Sequence, residues 1–366
     1  MPTKKNRFTQ KDRIYMNLAI NLAKNQKGLT GLNPSVGCVI VKNDKILSYG
    51  VTNINGRPHA ETIALNKSKK ENIGSTVYLT LEPCSHFGKT PPCTNALIKA
   101  KVKKVIYATE DQDSRSFKKA KNILKSKKII TKSGLLNNKV KDLYKNYNYI
   151  KKNKFPYVIG KIASSSDFYI SKNKTRITNE YSRKITHLLR QRNQGILTSY
   201  KTVNTDNPKL TCRINGLEKF SPTRLVIDRD LKINLKSYII KHSSNPKTII
   251  FHNSKNIDKI NNLKKKGAKL IYFNVDKNNY FDIKKLLKKI YELGIHSVLV
   301  ESGKTTIYRM ISKNLFNEFF LFKSNKILNN KDRINVSDIK KKLNYKFKNK
   351  DYVNTYLDKD RLIHYY

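Results

Sequence analysis

Twice along the chain, short apolar runs alternate with stretches whose apolar residues recur at helical spacing, and this alternation restricts the fold to layered α/β domains. In the first half, Thr9 and Asp12 form a capping box ahead of Ile14, Leu18, Ala19, Leu22 and Ala23, and Gly28 ends that helix. A hairpin follows, with strands over 36–41 and 45–52 about the Asn43-Asp44 turn. Next come a helix from His59, a strand over 76–81, a helix from Cys93, a strand over 104–109, a helix over 114–125 and a strand over 127–131. Segment 147–154 is rich in Lys and Asn without apolar periodicity, so a boundary is expected there, giving domains 1–150 and 151–366. After Phe155-Pro156 the pattern resumes: an apolar run over 157–163, a helix over 180–192, strands over 195–198, 224–227 and 247–251, a helix over 283–293 and a strand over 297–300. No internal repeat is visible, and 323–350 is biased in composition without linker character.

Charge is the feature that most invites a different reading. The 366 residues carry 76 Lys plus Arg against 26 Asp plus Glu, a net charge of +50. Such an excess ordinarily points to nucleic acid. Here it comprises 62 lysines and 14 arginines, accompanied by abundant Asn, Ile and Tyr and no Trp. A chain drifting toward AT-rich codons gains Lys over its whole solvated surface, whereas a nucleic-acid reader concentrates Arg and aromatics on one face. The lysines run through both halves, which favours surface drift and argues against a specific nucleic-acid partner. With 38% hydrophobic residues the chain has enough to build a core. No run of about 18 apolar residues offers a membrane span, the basic N-terminus lacks the apolar core of a signal peptide, and four cysteines are too few for a disulfide scaffold. A cytoplasmic protein is expected, in which clustered cysteines read first as metal ligands.

His59, Cys84 and Cys93 each fall at an expected element terminus. One His and two Cys are three ligands for a tetrahedral Zn²⁺ whose fourth position is open to water, the catalytic arrangement, whereas structural zinc has four protein ligands. Helix N-termini at His59 and Cys93 favour thiolates. Glu61, two residues beyond His59, is placed to reach that water without being a ligand and to shuttle its proton to a departing amine. Taken singly, each residue also fits a bland role as a helix-start histidine or a buried cysteine; taken together they match the zinc-deaminase signature. His86 is a competing nitrogen ligand by geometry; a role as a hydrogen-bonding loop residue is favoured over zinc ligation, and substrate contact stays open. Cys38 lies in a strand expected to be buried on both faces and reads as core.

Asn33-Pro34-Ser35-Val36-Gly37, Pro58-His59-Ala60-Glu61 and the run from Leu81-Glu82-Pro83-Cys84 through Ser85-His86-Phe87-Gly88-Lys89-Thr90 to Pro91-Pro92-Cys93 resemble the deaminase domain of the RibD family, bifunctional deaminase-reductases of riboflavin biosynthesis. Cytidine and tRNA adenosine deaminases usually carry Pro-Cys-x-x-Cys, whereas the longer interval here resembles the riboflavin enzymes. The resemblance implies a cytidine-deaminase-like α/β/α layered domain, Asn33 bonded to the pyrimidine, and a pocket lined by 85–90.

In the second half no Gly-x-Gly-x-x-Gly follows a strand, so a standard dinucleotide fold has no direct support. Lys161, Ser164, Arg190, Thr198, Thr202, Asp206, Arg213 and Glu301-Ser302-Gly303 nevertheless fall at or beyond the ends of elements, where open α/β sheets form ligand crevices. Gly303 before a helix offers free backbone N–H groups to a phosphate, and Arg190 and Arg213 offer guanidinium forks. Phe155-Pro156-Tyr157, Leu188-Leu189-Arg190, Ile196-Leu197-Thr198-Ser199, Asp206-Asn207-Pro208 with Leu210, Thr211 and Arg213, Val226-Ile227-Asp228 and Glu301-Ser302-Gly303 resemble the family's reductase domain, similar in fold to dihydrofolate reductase. The resemblance implies NADPH contacts from Ser164, Arg176, Thr202, Asp206, Gly303, Lys304, Thr305 and Thr306. It implies substrate contacts from Asn33, His86, Lys174, Arg190, Leu210, Arg213 and Glu301. Two departures stand out: Ser166-Asp167-Phe168 where the family has Leu-Asp-Gly, which strains the turn if that position needs positive φ, and Arg176-Ile177-Thr178 where it has Trp-Ile-Thr.

The leading expectation is a two-step enzyme. Zinc hydroxide displaces ammonia from a diaminopyrimidinone phosphoribosylamine, and NADPH then reduces the ribosyl group to ribityl. The family precedent implies a homo-oligomer acting on a small molecule. The alternatives are a zinc deaminase of a flipped tRNA base with a basic RNA-binding second domain, and a structural zinc protein, which Glu61 beside three ligands argues against.

Overall fold

A computed structural model describes residues 8–170, 176–329 and 333–366, and the chain divides into two compact units, 1–154 and 155–366. Among the described residues no helix is long and apolar enough to cross a membrane.

The first unit runs α1 (Gln10–Asn25), β1 (Gly37–Lys42), β2 (Lys45–Val51), α2 (Ala60–Ser68), β3 (Thr76–Leu79), α3 (Cys93–Lys99), β4 (Lys104–Tyr107), α4 (Ala120–Ser126), β5 (Ile130–Ser133) and α5 (Asn137–Asn153). The Thr9 hydroxyl accepts the Asp12 N–H and the Asp12 carboxylate accepts the Thr9 N–H, the reciprocal box expected from the sequence. Asn43 and Asp44 both adopt positive φ, which is the backbone a two-residue hairpin requires. The sheet order is β2-β1-β3-β4-β5. β1 pairs antiparallel with β2 and β3, while β3, β4 and β5 are parallel. Cys38 is fully buried in β1, packed in a core with Met16, Ile20, Val39 and Leu79.

Two expectations need correction. The helix expected over 114–125 begins only at Ala120, because the amides before it are committed elsewhere: the buried Glu82 carboxylate accepts N–H groups from Asp111, Lys118 and Ala120 at 3.0–3.1 Å. The strand expected over 127–131 is displaced to Ile130–Ser133, since α4 runs to Ser126 and Lys128 turns at positive φ. Segment 147–154, where the boundary is expected, does end at the division between the units. Most of it is the end of α5, whose Tyr147 hydroxyl donates to Asp111 at 2.9 Å and whose Lys151 Nζ reaches Asp113 at 2.7 Å, one turn apart on one face.

The second unit runs β6 (Tyr157–Ser164), β7 (Tyr169–Ile170), α6 (Glu180–Gln191), β8 (Gly195–Ser199), α7 (Tyr200–Asp206), β9 (Thr223–Ile227), α8 (Tyr238–Lys241), β10 (Thr248–His252), α9 (Ile257–Lys265) and β11 (Lys269–Tyr272). It continues with α10 (Ile283–Glu292), β12 (Ser297–Val300), α11 (Lys304–Ser312), β13 (Glu318–Lys323), β14 (Ile334–Asn335), α12 (Ser337–Lys346), β15 (Lys350–Tyr352) and β16 (Arg361–Tyr365). The large sheet has the order β11-β10-β9-β8-β12-β6-β13-β16-β15. It is parallel from β11 to β13 and antiparallel at β16 and β15. Parallel strands covered on both faces read as continuous apolar runs, as Ser297–Val300 and Thr248–His252 do. β7 and β14 form a separate ribbon. Segment 323–350, compositionally biased but undefined in the sequence, contains α12, whose Ile339 and Leu343 pack against Ile307 and Phe319.

Candidate active sites

In the first unit the metal-ligand geometry is built from element ends. His59 is the N-cap of α2, Cys84 lies in the loop after β3, and Cys93 opens α3. α2 sits tight on the sheet because Gly50 in β2 has no side chain; a Cβ there would stand 2.2 Å from the Ala60 carbonyl oxygen. His59 Nδ1 is 3.3 Å from Cys93 Sγ and 3.7 Å from Cys84 Sγ. The three donor atoms lie within 4.8 Å of one another, and an imidazole with two thiols is a donor set that suits Zn²⁺. The Cys93 N–H points at Cys84 Sγ at 3.3 Å, so the N-terminal end of α3 supports negative charge on that sulfur. Hydrogen bonds from Cys93 and His59 hold the Cys84 thiol down to about 4. Glu61, 4% exposed, has its carboxyl pushed up to about 7, chiefly by burial and then by the Cys84 charge. His86 is not within the ligand cluster; its Nδ1 is 2.8 Å from Ser116 Oγ. Asn33 Nδ2 donates to the Gly56 carbonyl at 2.9 Å, leaving Oδ1 as the side chain's acceptor.

In the second unit a buried charge cluster gathers residues from three elements. Arg190 on α6 grips Glu301 with Nε at 2.7 Å from Oε1 and Nη2 at 3.0 Å from Oε2. Lys161 on β6 places Nζ 3.8 Å from Oε2. Against the cost of burial, Arg190 and Lys161 hold the Glu301 carboxyl down to about 2. Arg190 Nη1 also donates to the Thr211 carbonyl at 3.1 Å, which accepts His187 Nδ1–H at 3.1 Å as well. Burial and the neighbouring Arg190 and Arg213 push His187 down to about 4, so this ring is neutral near pH 7. Sequence reasoning missed it because a lone histidine on a helix carries no signal of its own. Arg190 is therefore not the open fork expected for a phosphate: its guanidinium is committed to Glu301, while Arg213 is exposed.

Gly303 caps α11 without any side-chain cap, and its N–H, expected to be free, donates to Thr202 Oγ1 at 3.1 Å. That bond brings the expected Thr202 and Gly303 together at the ends of α7 and α11. Thr305 and Thr306 lie in the first turn of α11, Lys304 pairs with Asp338 at 2.9 Å, and Asp206 is exposed at the end of α7. Ser164, Thr198 and Ser302 hydroxyl oxygens, at or just past the ends of β6, β8 and β12, are buried without partners among the described residues. Such atoms mark a place that a ligand or water completes, and the three strands are neighbours in the sheet. Ser164 is itself fully buried, and Leu210 is 3% exposed and at positive φ. Arg176 is exposed, and Lys174 falls outside the described residues. Phe168 does adopt φ +61°, the conformation suited to glycine; its ring lies between Lys323 and Lys340, with the ammonium groups 4.7 and 4.5 Å from its centre.

Fold and sites together define a zinc-binding cytidine-deaminase-like domain followed by a reductase domain. Residues 9–109 match the cytidine and deoxycytidylate deaminase zinc-binding region, and 156–353 match the RibD C-terminal domain. The chain is 35% identical over 321 residues to the riboflavin biosynthesis protein RibD of Aquifex aeolicus, covering 87% of this chain and 88% of that one. It is 30% identical over 331 residues to the RibD of Escherichia coli, covering 87% and 88%. The RibD structure of Acinetobacter baumannii superposes with a TM-score of 0.82 at 27% identity, covering 97% and 98%. A diaminohydroxyphosphoribosylaminopyrimidine deaminase and 5-amino-6-(5-phosphoribosylamino)uracil reductase from Thermotoga maritima gives 0.80 at 27%, with the same coverage. The chain belongs to the RibD family, bifunctional deaminase-reductases of riboflavin biosynthesis that combine a zinc-binding deaminase domain with a reductase domain.

Proposed function

We propose that domain 1–150 deaminates 2,5-diamino-6-(5-phosphoribosylamino)pyrimidin-4(3H)-one and that domain 151–366 reduces the ribosyl group of the product to ribityl with NADPH. The observation that carries the first half is Glu61 buried beside His59, Cys84 and Cys93, three convergent ligands with a carboxylate that is not one of them. Zinc held there would acidify a water molecule. Glu61 takes the proton of the attacking water and delivers it to the leaving amine, so that the water oxygen ends on carbon 2 and the nitrogen departs as ammonia. Asn33, its amide fixed by Gly56, offers Oδ1 to the pyrimidine, and His86 lines the same pocket.

In the second half, NADPH supplies the hydride. Thr202, Asp206, Arg176 and the first turn of α11 through Thr306 bind the cofactor, with Ser164 completing the floor. The phosphoribosyl group is held by Lys174 and by Arg213, which is exposed. Arg190 and Lys161 fix the carboxylate of Glu301 as a single charged acceptor for the sugar hydroxyls, and Leu210 holds the backbone of that loop. The enzyme works in the cytoplasm as a homo-oligomer on this small molecule, without a specific nucleic-acid partner. The test is to supply the zinc-loaded protein with the diaminopyrimidine substrate and record ammonia release; deamination of tRNA in its place would overturn the proposal.

A further inference from the structure

Segment 110–119, whose residues 114–119 the spacing predicts to be helical, instead forms a turn that reaches back to the loop after Cys84. Its anchor is Glu82: both carboxylate oxygens are spent on the N–H groups of Asp111, Lys118 and Ala120. The turn carries Ser116, a fully buried residue. Ser116 Oγ accepts the Ser85 N–H at 3.2 Å and lies 2.8 Å from His86 Nδ1.

A buried hydroxyl proton needs an acceptor. Among the described residues the acceptor paired with this hydroxyl is His86 Nδ1, because its other partner, the Ser85 amide, is a donor. The Ser116 proton is thereby directed to Nδ1, and the neutral ring carries its own proton on Nε2. His86 Nε2 lies beside the neighbouring glycine. A Cβ on Gly88 would stand 4.0 Å from His86 Nε2 and 3.4 Å from Arg57 Nη2. Arg57 is in turn tethered by a hydrogen bond from Nη1 to Thr90 Oγ1. His86 Nε2 and Arg57 Nη2 thus both lie beside Gly88, and each side chain is hydrogen-bonded through another of its nitrogens to a hydroxyl of a different segment.

We propose that Ser116 is a positioning residue of the deaminase site: it sets the tautomer and orientation of His86 so that Nε2–H, beside Arg57 Nη2, is presented to an acceptor oxygen of the substrate. This rests on the deaminase reading for the identity of the substrate, but not for the state of the ring.

Two measurements on the full zinc-loaded chain separate these. At about pH 8, nitrogen-15 spectra of the imidazoles should show His86 of the unaltered protein with Nε2 protonated and Nδ1 bare. A proton on Nδ1 would overturn the proposal. In the ammonia-release assay, Ser116→Ala should raise KM about tenfold, the loss expected for one hydrogen bond of about 1.4 kcal/mol. kcat and bound zinc should stay within about twofold, and Ser116→Thr, which keeps the hydroxyl, should restore KM. An unchanged KM in Ser116→Ala, or an equal loss in Ser116→Thr, would assign Ser116 to packing alone and sink the idea. Absence of ammonia release from the unaltered protein would instead count against the deaminase reading, leaving the imidazole spectrum to decide the role of Ser116.

Discussion

A carboxylate with 4% exposure, set beside two cysteines and a histidine, needs a reason, since burial alone penalises its charged form. Proton transfer supplies one. Glu61→Gln keeps the volume and removes the basic oxygen, so ammonia release should fall by at least about a hundredfold while bound zinc, measured by atomic absorption, is retained; retained activity would remove Glu61 from the proposed role. Glu301 is the corresponding residue of the second unit, though its buried charge is balanced by Arg190 and Lys161. Glu301→Gln leaves two cations with no counter-charge and should cost about 3–5 kcal/mol in urea unfolding. The pH dependence follows from the direction of the shift: a carboxyl held down to about 2 contributes stability that is complete above the ordinary carboxylate range and is lost as pH falls through about 2. A midpoint insensitive to Glu301→Gln between pH 5 and 8 would contradict this. His59, Cys84, Cys93 and Glu61 were legible in the sequence because their residue types have few other uses in that spacing. The closure of Arg190 onto Glu301 was not, since nothing in a list of residue types says which arginine already has a partner.

At the scale of elements, what could be read depended on whether a segment's partners lie within it. The hairpin about Asn43-Asp44 and the cap at Thr9 are local, and both formed as expected. α5 is different: Tyr147 and Lys151 look like surface, and are ordered by Asp111 and Asp113 some 36–38 residues away. Segment 114–119 failed as a helix for the same reason, its Lys118 amide being drawn to Glu82. β9 hides a further long-range element contact, a fully buried Arg224 whose guanidinium donates to the carbonyls of Lys209, His242 and Pro246 at 2.8–3.2 Å. No carboxylate was needed to bury it, because three carbonyls disperse the charge. Arg224→Met should therefore destabilise by at least about 2 kcal/mol, as three buried acceptors lose their donor. It should also weaken reductase substrate binding, because Lys209 leads directly into the loop carrying Thr211 and Arg213. Unchanged stability by urea titration would show that the acceptors find other partners.

For the whole molecule, the α/β alternation led to the fold and the family, whereas the charge of +50 by itself suggested nucleic acid. On the surface-drift reading, RNA retention should be indifferent to sequence and fall steeply between 50 and 200 mM salt; selective, salt-tolerant retention would mean that the charge serves recognition. The two-unit architecture makes the claim that matters most, since it assigns one reaction to each unit. Its most direct test supplies the diaminopyrimidine substrate to the zinc-loaded protein with and without NADPH, following ammonia and NADPH absorbance separately. Ammonia should appear without NADPH, and NADPH should be consumed only after ammonia has been released. NADPH oxidation before deamination, or neither signal, would contradict the assignment.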